Sequence, residues 1–271
     1  MPEGDSVYLV RRRLEPVLTG RRLTRGELRV PAHATDDLTG HTVVELDTHG
    51  KHLLTRFDSG LTLHTHLKMD GSWSVTGPGK RLPCTLLPDV RVLLETDLGS
   101  SVYGISMPVV ELVRTADEHE VVGYLGPDPL RADWNAARAI ANLAARPDRP
   151  LAAALLDQRN LAGLGNLWVN ELAFLRGYSP WTPVAEVDLK ATVALAVRTL
   201  RHSALVPGAY QVTTGHNRRG QDHWVAGRAG QPCRRCRTTI EVTAEVPGDP
   251  DRRRTWWCPR CQPGPGPDGP R

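Results

Sequence analysis

The 271-residue sequence has no long uninterrupted apolar run: its longest hydrophobic stretches break within a few residues, which excludes a transmembrane helix of about 20 apolar residues. Its first 20 positions offer no signal-peptide core either, because Arg11, Arg12 and Arg13 stand where an apolar stretch would be needed. A cytoplasmic protein with no membrane partner is expected. No internal repeat is visible, so solenoid and propeller architectures are excluded. Net charge is low, formally +4, too little on its own to identify a polyanionic partner. The remaining composition, 40% hydrophobic and 24% charged, is that of a globular chain long enough for one large core or two smaller ones.

What is present is unevenly placed. Between Arg218 and Arg260 ten arginines face five acidic residues, an excess that suits a phosphate-facing module. Four of the five cysteines form two CxxC knuckles, PCRRC and WCPRCQ, separated by 21 residues. Four thiolates at this spacing can close tetrahedrally on one structural zinc ion, with Cys233, Cys236, Cys258 and Cys261 as ligands. Two redox pairs or two disulfides fit less well, since a redox pair needs a thioredoxin-like setting and a cytosolic disulfide is seldom stable. Cys84 stands alone and reads as a small buried hydrophobe.

The chain changes character along its length. Val7, Val10, Leu14, Val17 and Leu18 recur at helical spacing, so a helix is expected from Ser6 to Leu18, with Asp5 or Ser6 as its N-cap and Gly20 beyond its end. Strand-like segments follow, TVVELD, HLLTRFD, LTLHTHL, SWSV and VRVLLETD, divided by turns rich in glycine, proline and aspartate. After residue 130 helical patterns take over: Asp133 is expected to cap ADWNAARAIANLAA, an apolar run ends in LLDQ, NLWVNELAFL makes a third helix, and Leu189, Val193, Val197 and Leu200 mark a fourth. The last segment, PGPGPDGPR, is too rich in proline and glycine to be expected to order.

Several segments, in order, resemble the formamidopyrimidine-DNA glycosylase and endonuclease VIII family: MPEG at the start, HGKHLLTRF, LLDQRNLAGLGN followed by NELAF, and GRAGQPCRRC with RRTWWCPRCQ. The resemblance runs essentially end to end. It implies an α+β multidomain fold: a catalytic N-terminal β-sandwich with flanking helices (1–125), a helix-two-turn-helix domain (126–228), and a zinc-ribbon β-hairpin (229–263), before a disordered tail (264–271). It implies a monomeric, bifunctional DNA glycosylase and abasic-site lyase of base-excision repair, acting on double-stranded DNA with oxidised bases or abasic sites, at the nucleoid in a bacterial cell.

Chemistry at the first residues then has a reading. Removal of Met1 exposes the secondary amine of Pro2, and α-amino groups titrate roughly two units below lysine, so more of the group is neutral and nucleophilic. Attack on C1′ expels the base and leaves an iminium, whose charge acidifies the C2′ proton and permits β,δ-elimination of the strand. Glu3 beside it is the expected general acid at the sugar ring oxygen. The resemblance further implies that Lys51, on the Gly50 turn, reaches the active site and binds phosphate beside the lesion. It implies that Met69 fills the gap left by a flipped base. Asn166, opening a helix after Gly163 and Gly165, would contact the DNA backbone with open helix N–H groups. Arg253 would clamp phosphate, with Arg252 and Arg254 as alternatives. His49 and His52 carry no comparable role and read as surface or hairpin histidines.

Two departures from the pattern matter. Ser6 replaces a glutamate common in relatives, which keeps a catalytically weak, zinc-dependent DNA-binding relative as an alternative. The segment TDLGSSVYGISMP lacks the arginine-phenylalanine loop of 8-oxoguanine-directed members. That absence favours the endonuclease VIII side and oxidised pyrimidines over the formamidopyrimidine-directed alternative. A zinc-ribbon binding protein with no chemistry would have no need of Pro2 and Glu3.

Overall fold

The protein is described from a computed structural model covering residues 2–218, 220–244 and 253–269. Met1 and Arg252, which entered the expectations above, lie outside the described residues. The chain divides into two compact units: one is Ser6–Tyr124 with Pro2, the other Leu125–Arg271 with Glu3–Asp5.

In the first unit, helix α1 (Gly4–Leu18) buries Val7, Leu14 and Leu18 along one stripe. It starts earlier than the apolar spacing suggests. Asp5, expected as a cap, lies inside the first turn with its carboxylate turned to side chains far along the chain. Eight strands follow: β1 (Leu23–Leu28), β2 (Val43–His49), β3 (His52–Phe57), β4 (Leu61–His66), β5 (Ser72–Thr76), β6 (Val90–Thr96), β7 (Ser101–Ile105) and β8 (Val109–Arg114). They form two antiparallel four-stranded sheets, ordered β1-β6-β7-β5 and β2-β3-β4-β8. Leu28, Val92, Leu94 and Val102 of the first sheet share one core with Leu46, Phe57 and Leu63 of the second, as the inward-facing residues of a sandwich do. Strand β1 escapes the pattern reading because Gly26 interrupts it; a Cβ there would lie 2.5 Å from Leu38 Cβ, so the glycine admits a close neighbour. A short helix, α2 (Glu118–Val122), closes the unit. Cys84 is exposed rather than buried, because it opens a surface 3₁₀ turn, Cys84–Asp89, after Pro83. The segment from Asp97 to Pro108 is consumed by the tight Thr96–Ser100 turn, strand β7 and a second turn at Ser106, leaving no extended loop.

The second unit is helical, then irregular. Helix α3 (Ala136–Ala144) is capped by Asn135, whose side chain accepts from Arg138 N–H; Asp133 is instead paired with Arg131. Helices α4 (Leu151–Leu156), α5 (Asn166–Arg176) and α6 (Leu189–Leu205) pack Leu143, Leu155, Trp168, Leu172, Val193 and Leu200 together. Two points of the chain that follows α6 converge on one buried carboxylate. Glu171, on α5, accepts N–H groups of Trp224, Val225 and Ala226 at 2.8–2.9 Å and the hydroxyl of Thr213. Strands β9 (Glu241–Thr243) and β10 (Thr255–Trp257) form an antiparallel pair beside the cysteines. The glycine-rich end carries turn contacts in its described residues: Ser179 Oγ donates to the Pro265 carbonyl, and Gly266 and Gly269 exchange backbone bonds. Gly264 and Gly269, at φ +128° and +113°, supply turns that other residues rarely adopt, and proline limits the entropy lost on ordering. Among the described residues no helix is long and apolar enough to cross a membrane.

Within the β unit the histidines form a cluster instead of a surface. His52 and His66 are cross-strand partners on β3 and β4, and His64 is the diagonal neighbour. His52 is buried, stacked on His64 with ring centroids 5.0 Å apart, and its Nδ1 meets His64 Nε2 at 2.7 Å. Tyr124 Oη reaches His52 Nε2 at 3.2 Å, and His64 Nδ1 meets Glu111 at 2.8 Å. Burial, reinforced by His66, pushes the His52 ring down to about 2. Burial and then the charges of Lys68 and Lys51 push His66 down to about 3. Below about pH 6.5 the unfolded chain therefore takes up protons that the folded chain refuses, so stability is full above that pH and falls as the solution becomes more acid. We expect the thermal midpoint to drop between pH 7 and pH 4.5, by roughly 2 kcal/mol of stability for His52. In His52→Gln the drop should be smaller. An identical acid loss in that variant would take the pH dependence away from His52.

Candidate active site

The first turn of α1 carries the densest set of buried polar contacts in the second unit. Glu3 is fully buried, and its carboxylate accepts the N–H groups of Gly165 and Leu167 at 2.8 Å and of Trp168 at 3.4 Å. These are the orphan donors at the start of α5, which lacks a capping side chain of its own; Glu3 caps the helix from 162 residues away. The donors and the positive end of the helix dipole both favour the carboxylate's negative charge. The N–H groups expected to be open to phosphate are thus taken by Glu3.

The glycines of LAGLGN make this approach possible. Gly165 has φ −123°, which any residue adopts, but a Cβ on it would lie 2.4 Å from Glu3 Cδ. Gly163 sits at φ +97°, and its carbonyl accepts Gly4 N–H at 2.8 Å; a Cβ on Gly4 would meet Gly163 Cα at 2.7 Å. One glycine is required for conformation and two for room. The third residue of the turn, Asp5, is fully buried and accepts from Trp168 Nε1 at 3.1 Å and Ser203 Oγ at 2.6 Å.

Asn166 stands at the start of the same helix and donates its amide to the Arg254 carbonyl at 2.9 Å. One turn on, buried Asn170 donates to the Asn166 carbonyl at 2.6 Å and accepts Trp256 N–H at 2.8 Å. The two asparagines therefore hang strand β10, and Arg254 just before it, on the first turns of α5. Asn170 went unnoticed in the sequence; its i,i+4 spacing from Asn166 is the signal it carries.

Cys233, Cys236, Cys258 and Cys261 come together with all four Sγ atoms within 4.8 Å of one another. A tetrahedral S4 zinc site, with Zn–S of about 2.3 Å, has S–S edges of about 3.8 Å. The separations Cys233–Cys261, 3.9 Å, and Cys236–Cys258, 3.4 Å, suit such a set. Four cysteines with this geometry could hold a metal ion. The knuckle is fastened to α5 by stacking: Trp224 lies 5.4 Å from Phe174, and the Arg235 guanidinium sits 4.5 Å over the Phe174 ring.

In the other unit, Lys51 follows Gly50, at φ +58°, on the β2–β3 turn, and Met69 is 60% exposed on the turn after β4. Pro2 immediately precedes Glu3 in the chain. The site thus unites Glu3, Asn166 and the Arg253 strand around one helix end, while Lys51 and Met69 occupy two turns of the sandwich. The contacts of Asp5 and Glu171 had no legible signal, because their partners are remote in sequence.

Comparison with known proteins agrees with this architecture. The family model for the formamidopyrimidine-DNA glycosylase N-terminal domain matches residues 1–103, and that for the H2TH domain matches residues 125–206. The chain is 50% identical to the Streptomyces coelicolor protein called "Probable endonuclease 8 2", over 98% of this chain and 96% of that one. It is 43% identical to the Mycolicibacterium smegmatis "DNA-(apurinic or apyrimidinic site) lyase Nei2", over 97% and 99%. Among solved structures it is similar to the MutM (Fpg) protein of Thermus thermophilus, with a TM-score of 0.75 and 28% identity over 96% and 98% of the two chains.

A methyl group at position 165 isolates the helix-capping contact. In Gly165→Ala the new Cβ would collide with the Glu3 carboxyl, so we expect about 1–3 kcal/mol of lost stability and a rate loss of about 100-fold or more. Thermal unfolding and single-turnover assays on a damaged oligonucleotide measure the two effects. A fully active Gly165→Ala protein would place Glu3 elsewhere.

Proposed function

Because the chain belongs to the formamidopyrimidine-DNA glycosylase and endonuclease VIII family, we propose that it is a bifunctional DNA glycosylase and abasic-site lyase of base-excision repair, using Pro2 as nucleophile and Glu3 as its proton-transfer partner. The observation that carries this reading is the buried Glu3 carboxylate, held by N–H groups of α5 and adjacent in sequence to Pro2. A carboxylate fixed by a helix end cannot drift, so the neighbouring amine is oriented along with it. The Pro2 nitrogen forms a bond to C1′ as the glycosidic bond breaks, the departing base gains a proton and the nitrogen loses its own; the C1′–O4′ bond then opens, with the proton for the ring oxygen delivered through Glu3, and C1′ is left doubly bonded to nitrogen. The resulting iminium cannot lose a proton from nitrogen, stays charged, and makes the C2′ proton acidic enough for elimination of the 3′ and then the 5′ phosphate. Glu3 stabilises the positive charge developing on the sugar and relays protons in these steps.

The remaining site residues serve to grip the substrate. Lys51 binds a phosphate beside the lesion. Met69, exposed on its turn, enters the gap left by the extruded base. Asn166 and Arg253 contact the backbone, the first also bracing the strand that carries the second. Oxidised pyrimidines are the preferred bases, a reading supported by the short turns of residues 97–108, which leave no arginine-phenylalanine loop to fill the opposite side of the gap. Zinc is the metal of the cysteine cluster. Once bound it would cross-link the two knuckles and hold the β9–β10 pair as a clamp, without touching the reacting atoms. A DNA substrate would keep the protein in the cytoplasm, at the nucleoid.

Two experiments separate chemistry from grip. Borohydride should trap the protein covalently on an oligonucleotide containing an oxidised pyrimidine, with the cross-link mapping to Pro2 by peptide mass spectrometry. Glu3→Gln should lose base excision while still cleaving preformed abasic sites. Trapping through another amine would remove Pro2 from the role.

For the clamp, Arg253→Ala should retain zinc, bind duplex DNA more weakly and lower the slope of log affinity against log salt by about one. Cys258→Ser should lose zinc, read by atomic absorption, together with binding. An unchanged salt slope would move the clamp to another arginine, and full activity without zinc would remove the metal's role.

A further inference from the structure

Gripping the first turn of α1 takes more than the Glu3 carboxylate. Asp5, two residues on, is a fully buried carboxyl group, a state that is costly unless hydrogen-bond donors surround it. Three do. Trp168 Nε1 and Ser203 Oγ donate to Oδ2 at 3.1 and 2.6 Å, and Gln211 Nε2 approaches Oδ1 at 3.5 Å. Ser203 is itself positioned: its Oγ accepts Gln211 N–H at 2.8 Å, so a relay runs from the Gln211 backbone through the Ser203 hydroxyl to Asp5. Gln211 stands at φ +53°, in the left-handed region that residues with a Cβ seldom occupy. Its carbonyl meets His223 Nε2 at 3.0 Å. A left-handed residue held at its N–H, its carbonyl and its side chain is over-determined by its surroundings, as strained positions at functional sites are.

The three residues of this turn thus enter the helical unit by three separate contacts: Glu3 on the start of α5, Gly4 on Gly163, and Asp5 on Trp168 and Ser203. Trp168 belongs to two of them, offering its backbone N–H to Glu3 and its indole to Asp5. Glu3 alone would fix one point and leave the turn to pivot about it. Adding Asp5, held by the indole of the tryptophan whose backbone N–H faces Glu3, removes that freedom.

We propose that Asp5 is a positioning residue for the reaction assigned above: through Trp168 and the Ser203–Gln211 relay it locks the rotation of the first turn of α1, and so the direction in which the Pro2 amine and the Glu3 carboxylate face the sugar. This rests on the reading of Pro2 as nucleophile. Asp5 touches neither substrate nor the reacting atoms. Its removal therefore lowers the rate constant of each chemical step and leaves duplex affinity alone.

Single-turnover borohydride trapping on an oligonucleotide with a preformed abasic site tests the proposal, because it reports a rate constant and an amplitude separately. A residue that merely holds the fold together changes the amplitude, which counts folded enzyme; a positioning residue changes the rate constant. In Asp5→Ala we expect the rate constant to fall about 10- to 100-fold with duplex Kd within about twofold of the parent. In Asp5→Asn, which keeps an acceptor for Trp168 and Ser203, most of the rate should return. Ser203→Ala supplies an independent route if Asp5→Ala does not fold: it breaks the relay, leaves the indole contact, and should slow trapping about tenfold. Unchanged rate constants in both Asp5→Ala and Ser203→Ala, or a loss confined to amplitude, would overturn the proposal. A parent enzyme that is never trapped would instead overturn the assignment of Pro2, so the two failures are distinguishable.

Discussion

The open N-terminus of α5 is the constraint on which this site depends. A helix of eleven residues beginning after glycine has donors at its start and no side chain of its own to satisfy them. The carboxylate that does so comes from the third residue of the chain. This one contact demands much of its surroundings: Gly165 must lack a side chain to admit it, Gly163 must take a left-handed turn to bring its carbonyl to Gly4, and α1 must begin at residue 4 so that its first turn reaches that far. The capping contact is worth only about 1 kcal/mol in itself. Its importance lies in orientation, since the group that caps the helix is the same group proposed to move protons.

Helix α5 then acts as a common frame for everything else in the second unit. Its first turn receives Glu3; its second holds β10 through Asn170; Glu171 anchors the 213–226 segment; Phe174 stacks under Trp224 and Arg235 of the cysteine module. Buried polar residues on one helix, each aimed at a different segment, leave little latitude for any of those segments to shift alone. The residues proposed to grip DNA and the residue proposed to move protons are therefore measured from the same few turns of backbone.

How far this was legible in the sequence follows from the range of each interaction. The cysteine pairs announce themselves because the two ligands of a knuckle are three residues apart, and the order of strands then helices follows from local periodicity. The boundary of α1 and the cap of α3 were displaced because Asp5 and Asp133, good caps by residue type, are engaged elsewhere. His52 reads as a surface or hairpin histidine; it does face His49 across the β2–β3 hairpin, but it is buried, since what buries it, His64 and Tyr124, arrives from other elements. Likewise LAGLGN suggested a sharp turn between helices, but that Gly165 exists to make room for Glu3 could be known only once residues 3 and 165 were seen together. Resemblance to a family supplied Pro2 and Glu3 as a pair; the contacts of Asp5, Asn170 and Glu171 lay beyond both resemblance and pattern.

Closing the helix start with a residue 162 positions upstream also has a consequence for biosynthesis. The first residues leave the ribosome early, yet the donors that seat Glu3 are made only after more than half of the protein has been translated, and closing so long a loop is slow relative to local folding. A nascent or prematurely terminated chain would carry the proposed nucleophile without the frame that aims it. Under that reading, aimed chemistry waits until the second half of the sequence has folded.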